Sequence, residues 1–320
     1  MHIHTPVLII TISPVGQAWV QAEAAFVQRF HGSIRSQLSA IGLANSLGIP
    51  FTSPVPLRDN CSVYSHIGIL TVTPQEFFKS HFSANKPILV GDGLKGWPAL
   101  ERWSPQGIGS LAPNRLVDLQ VSLNGSFRAN PDKSALDPEN QFILRNVAFE
   151  KAANEIISNA SLSTRYYIGQ QNIALKLPEL LPDLRCWWPV GSSVINLWFG
   201  SSGVITPLHF DKSANLFAQV YGTKTFTLFA PDQSNCLYPY PADCALPNHS
   251  YVDVEDPDWK RHPDFALAER YVITIEPGQM LFLPPFWWHH VESLSMSISV
   301  NQWRVEPPQR REQTSPNEIP

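Results

Sequence analysis

The sequence predicts a mainly β fold, a sandwich or barrel of short strands with helical text ahead of it. Three observations carry that expectation. Aromatic residues are 11% of the 320-residue chain, with ten Trp and 29 Pro, a mix that favours strands joined by tight turns over a helical bundle. The second half breaks into brief apolar or alternating runs: Val194–Phe199, Val204–Asp211, Leu216–Val220, Thr225–Phe229, Tyr271–Ile275, Met280–Leu283 and Ser295–Trp303. Such runs, closely spaced with turns between, mark sandwiches and barrels. Hydrophobic residues are 43% against 16% charged, enough to bury a full core and to exclude a disordered chain.

In chain order, Val7–Ile12 is an apolar run with no basic residues before it. It is too short for a signal peptide or a membrane span, and reads as a short strand of a cytoplasmic protein. Trp19, Ala22, Phe26, Phe30, Ile34, Leu38 and Ile41 recur every three or four positions, as on one helix face. Gly48 and Pro50 end that pattern, and Thr52–Asn60 is a turn-rich linker. Thr73 then caps a short helix with Pro74 in its first turn. Pro87–Val90 is a buried strand, Lys95–Leu100 a turn, Leu116–Leu123 a strand between polar loops, and Phe149–Ser161 a helix. The chain thus divides into a helical segment 1–60, a main domain 61–305 with a barrel core at about 165–304, and a loose tail 306–320.

The net charge of −4 and a pI near 6.2 argue against nucleic acid as the main partner. The four cysteines, Cys61, Cys186, Cys236 and Cys244, form no CxxC pair, so a zinc ribbon is not expected and reduced thiols are.

The chemistry concentrates in the histidines. His209 and Asp211 are two apart in the run Thr206–Asp211, and residues i and i+2 of a strand face one side. An imidazole and a carboxylate on one face, joined by a distant histidine, make the 2-His-1-carboxylate set that holds iron(II) and leaves positions open for a 2-oxo acid and O2. The distant member is one of the pair His289-His290; neighbours on a strand point oppositely, so only one of them reaches a given metal. Lys224 follows the hairpin turn Tyr221-Gly222-Thr223 and shares a face with Phe226 and Leu228. A lysine on an apolar face needs an anion, and the distal carboxylate of 2-oxoglutarate would serve. In Ser295–Trp303, Met296, Ile298 and Val300 form one face and Ser297, Ser299, Asn301 and Trp303 the other. If the polar face lines a barrel interior, the hydroxyls leave room for a cosubstrate and Asn301 can bond it.

The runs Asn196–Gly200, Thr206–Asp211, Asn215–Lys224, Cys236–Pro241, Val252–Asp258 and Trp288–Leu294, with Lys86–Val90 and Gly96–Trp103 upstream, resemble the JmjC/cupin-like hydroxylases. The nearest likeness is to the factor-inhibiting-HIF (asparaginyl hydroxylase) type, over roughly residues 64 to 304. The resemblance implies a double-stranded β-helix (jelly roll) with flanking helices and the metal at one mouth. It places His209, Asp211 and His289 on the iron(II) ligands, so His289 is preferred to His290. It places Lys224 and Thr206 on the carboxylate contacts of 2-oxoglutarate, Asn215 and Asn301 beside that cosubstrate, and Tyr167 with its neighbour Gln170 in the family's cosubstrate-tyrosine motif. Strict alternation puts Thr206 opposite His209, so a break in the pleat is expected at Pro207. Where the asparaginyl hydroxylase has a basic and an amide residue to grip its substrate, this chain has Asn248 and His249, so asparagine as the target is not implied.

The function expected on this resemblance is an iron(II)- and 2-oxoglutarate-dependent dioxygenase that hydroxylates a side chain of a protein or peptide, using O2 and releasing succinate and CO2. An N-methyl-lysine demethylase or a tRNA-modifying hydroxylase of the same fold is the alternative within enzymes. A catalytically silent cupin-like binding module is the alternative outside them, and it predicts a missing ligand or a missing anchor.

Overall fold

The computed structural model of the chain describes residues 64–65, 67, 69–128, 141–159, 164–188 and 192–305. The helix face expected in 1–60, the linker after it and the tail 306–320 lie outside the described residues. The strands run β1 Tyr64–Ser65, β2 Ile69–Leu70, β3 Ile88–Val90, β4 Leu116–Ser122, β5 Gln141–Ala148, β6 Arg165–Asn172, β7 Ser193–Gly200, β8 Ile205–Phe210, β9 Asn215–Tyr221, β10 Lys224–Phe229, β11 Arg270–Ile275, β12 Met280–Leu283, β13 Trp288–Ser293 and β14 Ser297–Arg304. They form two sheets. The minor one is ordered β1-β11-β10-β13-β8, the major one β2-β3-β12-β9-β14-β7-β6-β4-β5. From β7 to β14 the chain contributes four strands to each sheet, the neighbours among them antiparallel. This is the double-stranded β-helix, a mainly β jelly roll with short helices around it.

Side-chain alternation explains the layers. On β14, Ile298 and Val300 join the large core outside the major sheet, with Leu197 and Phe199 of β7, Leu216 and Ala218 of β9 and Met280 and Phe282 of β12. Helices cover that core. Phe77 comes from the helix Pro74–Ser80, which Thr73 and Glu76 start with a reciprocal capping box and Pro74 in the first turn. Phe149, Ala152, Ala153 and Ile156 come from the helix Phe149–Ser158. The opposite residues of the same strands face into the barrel. Phe217, Phe226, Leu228, Ile273, Ile275, Leu281, Leu283 and Val291 fill part of that interior. A third cluster lies outside the minor sheet, where Leu208, Phe210 and Trp288 meet Leu237, Val252 and Phe265 of the segment after β10.

Two irregularities shape the interior of the barrel. β8 and β13 pair Phe210 with Trp288 and His209 with His289, then shift so that Thr206 faces Val291. Pro207 and Leu208 together therefore oppose His290 alone, which is a β-bulge. The bulge brings Thr206 back to the face of His209, as the expected break at Pro207 requires. Gly222 lies in the hairpin before β10 with φ +69°, and a Cβ there would meet the Met296 carbonyl oxygen at 2.1 Å. Only glycine fits this turn, which launches Lys224 into the barrel.

Candidate metal centre

His209 and Asp211 come from the end of β8 and just beyond it, and His289 from β13, the adjacent strand. Register sets His289 directly across from His209. Their rings approach to 4.2 Å between centroids. One ligand atom from each of His209, Asp211 and His289 lies within 4.8 Å of the others, and His289 Nε2 is 3.8 Å from Asp211 Oδ2. Each imidazole is tied by its other nitrogen: His209 Nδ1 is 2.8 Å from the Pro207 carbonyl oxygen and His289 Nδ1 3.0 Å from that of Trp287. A carbonyl only accepts, so Nδ1 carries the proton and Nε2 keeps its lone pair for a metal. Burial, then the imidazole of His209, holds the His289 pKa below the ordinary range, which keeps the ring neutral.

His290 points to the other side of the sheet. It is buried, with Nε2 4.0 Å from Glu255 Oε1, and burial lowers its pKa to about 4. The choice between the adjacent histidines is thus made by register.

Asp211 Oδ2 accepts a hydrogen bond from Trp303 Nε1 at 3.0 Å and a longer one from Asn215 Nδ2 at 3.4 Å. The network continues inward. Asn301 donates to Asn215 Oδ1 at 3.1 Å and accepts from Trp198 Nε1 at 2.8 Å and Asn196 Nδ2 at 3.1 Å. The polar face of β14 is therefore buried in the barrel: Ser297, Ser299 and Asn301 are inaccessible to solvent, and Ser299 donates to Gln219 Oε1.

Lys224 is 2% exposed. Its Nζ lies 5.5 Å from the centre of the Tyr167 ring and 5.4 Å from that of Phe217. Among the described residues it makes no ion pair, and burial alone pushes its pKa down to about 7. Tyr167 is buried, which raises its pKa, and it shares a hydrogen bond with Thr206. Lys224, Tyr167 and Thr206 thus gather inside the barrel. Gln170 does not join them: it is exposed at a bulge of β6, with φ +51°.

Sequence reading passes over Trp198 and the indole N–H of Trp303 as parts of the site, because neither carries a metal-ligand signature. His249 also adjoins it. Its ring stacks on His209 at 5.3 Å, and burial lowers its pKa to about 3. The side chain of Asn248 is taken up by the Phe210 carbonyl at 2.7 Å.

The donor set suits ferrous iron: two imidazoles and one carboxylate meet at one place. A buried ammonium in the same barrel suits a dicarboxylate cosubstrate.

Comparison with known proteins agrees with this geometry. The family model of the cupin-like domain matches residues 74–309. The chain is 31% identical over 236 residues to a protein named lysine-specific demethylase 8 from Xenopus tropicalis, covering 71% of this chain and 50% of that one. It is 31% identical over 234 residues to lysine-specific demethylase JMJ30 from Arabidopsis thaliana, covering 71% and 52%. It is 29% identical over 261 residues to the human bifunctional peptidase and (3S)-lysyl hydroxylase JMJD7, covering 72% and 81%. The chain spans about half the length of these two demethylases. These relatives support the 2-oxoglutarate oxygenase family at large and not the asparaginyl-hydroxylase type in particular. No helix among the described residues is long and apolar enough to cross a membrane. On its fold, its site and the match over 74–309, the chain belongs to the cupin-like domain family.

Proposed function

We propose that the chain is an iron(II)- and 2-oxoglutarate-dependent dioxygenase that hydroxylates a side chain of a protein or peptide. The observation that carries this reading is the convergence of His209, Asp211 and His289 in the same barrel as an ammonium group that has no ion-pair partner among the described residues. Those three residues would hold the iron, and Lys224 would hold the far carboxylate of 2-oxoglutarate. Once bound, the iron would supply the oxidising power for a reaction in which O2 and 2-oxoglutarate give succinate and CO2 and one oxygen atom is added to a substrate C–H bond.

The chain's own residues do the rest. The Pro207 and Trp287 carbonyls fix the tautomer and tilt of the two imidazoles. Trp303 and Asn215 hold the carboxylate of Asp211. Thr206 and Tyr167 complete the polar end around Lys224, with Asn215 and Asn301 on the adjoining wall. Phe217, Phe226 and Leu228 keep the floor dry, which strengthens every charge interaction above it. Gln170 would act only by reaching in from its exposed bulge.

The test is succinate release from 2-oxoglutarate by the purified chain, with and without iron(II), beside mass spectrometry of lysate peptides for one added oxygen. No iron-dependent succinate in the presence of substrate peptides would contradict the reading. An N-methyl-lysine demethylase is the second reading, favoured by the relatives named as demethylases. It releases formaldehyde and leaves a peptide lighter by one CH2 unit, an N-methyl group having become N–H. We also place the chain in the cytoplasm, a reading that the free thiols of Cys186, Cys236 and Cys244 support.

The binding step has a pH dependence. Lys224 in the free chain titrates at about 7 because burial disfavours its charge, and an anion can be held only by the charged form. Above pH 7 binding must therefore take up a proton. Affinity for 2-oxoglutarate is expected to fall by up to about tenfold per pH unit there, and to be flat below. Calorimetry at pH 8 in two buffers of different ionisation heat checks this; equal apparent heats would mean that no proton is taken up.

A further inference from the structure

We infer that Trp303 is a positioning residue for the metal carboxylate: its indole N–H fixes the orientation of Asp211 and so the strength with which the ion is held. This rests on the metal reading above. Asp211 lies one residue past Phe210, the last paired residue of β8. Its backbone is held, since its carbonyl oxygen accepts from Phe286 N at 2.7 Å. Its side chain lies beyond the paired part of the strand and is 20% exposed. A short carboxylate in that position turns about its two side-chain torsions unless something grips it.

Among the described residues two donors grip it, and both aim at Oδ2. They are Trp303 Nε1 at 3.0 Å and Asn215 Nδ2 at 3.4 Å. Trp303 and Asn215 are direct cross-strand partners of β14 and β9, so a single register places both. An indole nitrogen is a donor only, with no alternative orientation that would present an acceptor. The shorter, unambiguous bond makes Trp303 the stronger of the two. The ring itself is braced: it meets Trp198 edge-on at 6.4 Å between centroids. Trp198 is hydrogen-bonded to Asn301, and Asn301 to Asn215. The contacts close a loop from Asp211 through Trp303, Trp198, Asn301 and Asn215 back to Asp211. The last strand of the barrel thereby sets the angle of a ligand that arrives on the second.

Outer partners of this kind typically change metal affinity by about 10- to 100-fold. The experiment is anaerobic equilibrium dialysis of iron(II) against the full chain, with metal-free melting curves alongside. Trp303→Phe keeps an aromatic ring and removes the N–H. It is expected to raise the Kd for iron(II) by about tenfold or more while the metal-free melting curve stays in place. Trp303→His restores a ring N–H and is expected to recover part of the affinity. Iron(II) binding by Trp303→Phe equal to the parent's would overturn the inference alone; a parent that binds no iron(II) would overturn the metal reading and this with it. Should Trp303→Phe show no cooperative melt, Asn215→Ala and Trp303→His decide: weakened binding by the first and partial weakening by the second support the inference, and parent-like binding by both overturns it.

Discussion

Lys224→Met is expected to yield a chain that melts higher than its parent and no longer holds 2-oxoglutarate. The parent keeps an ammonium group at 2% exposure over the faces of Tyr167 and Phe217, without an ion pair among the described residues. Replacing buried charge by an apolar side chain of similar volume commonly stabilises by about 1–4 kcal/mol. For a chain of this size that is a rise of roughly 2 °C or more in Tm. The sign has a pH window. The folded pKa of about 7 lies below the ordinary lysine value of 10.5, so between those values the unfolded state binds the extra proton and stability rises with pH. The advantage of methionine should therefore be full below pH 7 and should vanish as pH approaches 10.5. The functional loss runs the other way. Removing one partner of a buried charge pair costs about 2–5 kcal/mol, roughly thirtyfold to several thousandfold in affinity for the cosubstrate. Melting curves at two pH values and the KM for 2-oxoglutarate check both halves. A variant that is less stable and still binds the cosubstrate would show that the ammonium has a structural partner instead.

His289→Ala and His290→Ala are expected to differ sharply although the residues are neighbours. His289 faces His209 across the strand pair, and losing it removes a ligand. Metal stabilisation of the reacting centre is worth several kcal/mol, so iron-dependent succinate release should drop about a thousandfold. His290 faces the apolar cluster outside the sheet, near Glu255. Its loss should cost about 1–3 kcal/mol of stability and change turnover by no more than a few fold at a temperature where the variant is folded. Equal losses of turnover in the two folded variants would mean that the register of β13 differs from Trp288–Phe210.

Legibility in the sequence depends on whether a feature is local. The alternation of β14 is visible because Met296, Ile298 and Val300 against Ser297, Ser299 and Asn301 is a period-two signal that burial on both faces does not blur. The capping of Pro74–Ser80 by Thr73 is equally local. β5 is not legible: Gln141–Ala148 is an edge strand with Phe142, Leu144, Arg145 and Asn146 exposed, so it shows no clean face. Nor is β6, because a bulge between Ile168 and Gln171 interrupts its alternation.

At the site, the spacing of His209 and Asp211 speaks for itself, but residue spacing alone leaves His289 and His290 equal. Register across β8 separates them, and register is a property of two strands. The break at Pro207 is expected on the grounds that Thr206 and His209 should share a face; the bulge supplies the mechanism. The Trp303–Asp211 bond cannot be read from the sequence at all. It joins positions 92 apart through the pairing of β14 with β9, and nothing in either local sequence announces it. The resemblance sets Asn215 and Asn301 beside the cosubstrate, and their amides prove to be hydrogen-bonded to each other, with Asn215 also reaching Asp211.

The most direct measurement is the iron content of the chain after anaerobic loading and desalting, for the parent and for His209→Ala, Asp211→Ala and His289→Ala, each checked for a cooperative melt. One ferrous ion per parent chain, and little or none in the three variants, is the predicted result. Folded variants that retain iron as the parent does, or a folded parent that retains none, would mean that these side chains do not form the metal centre.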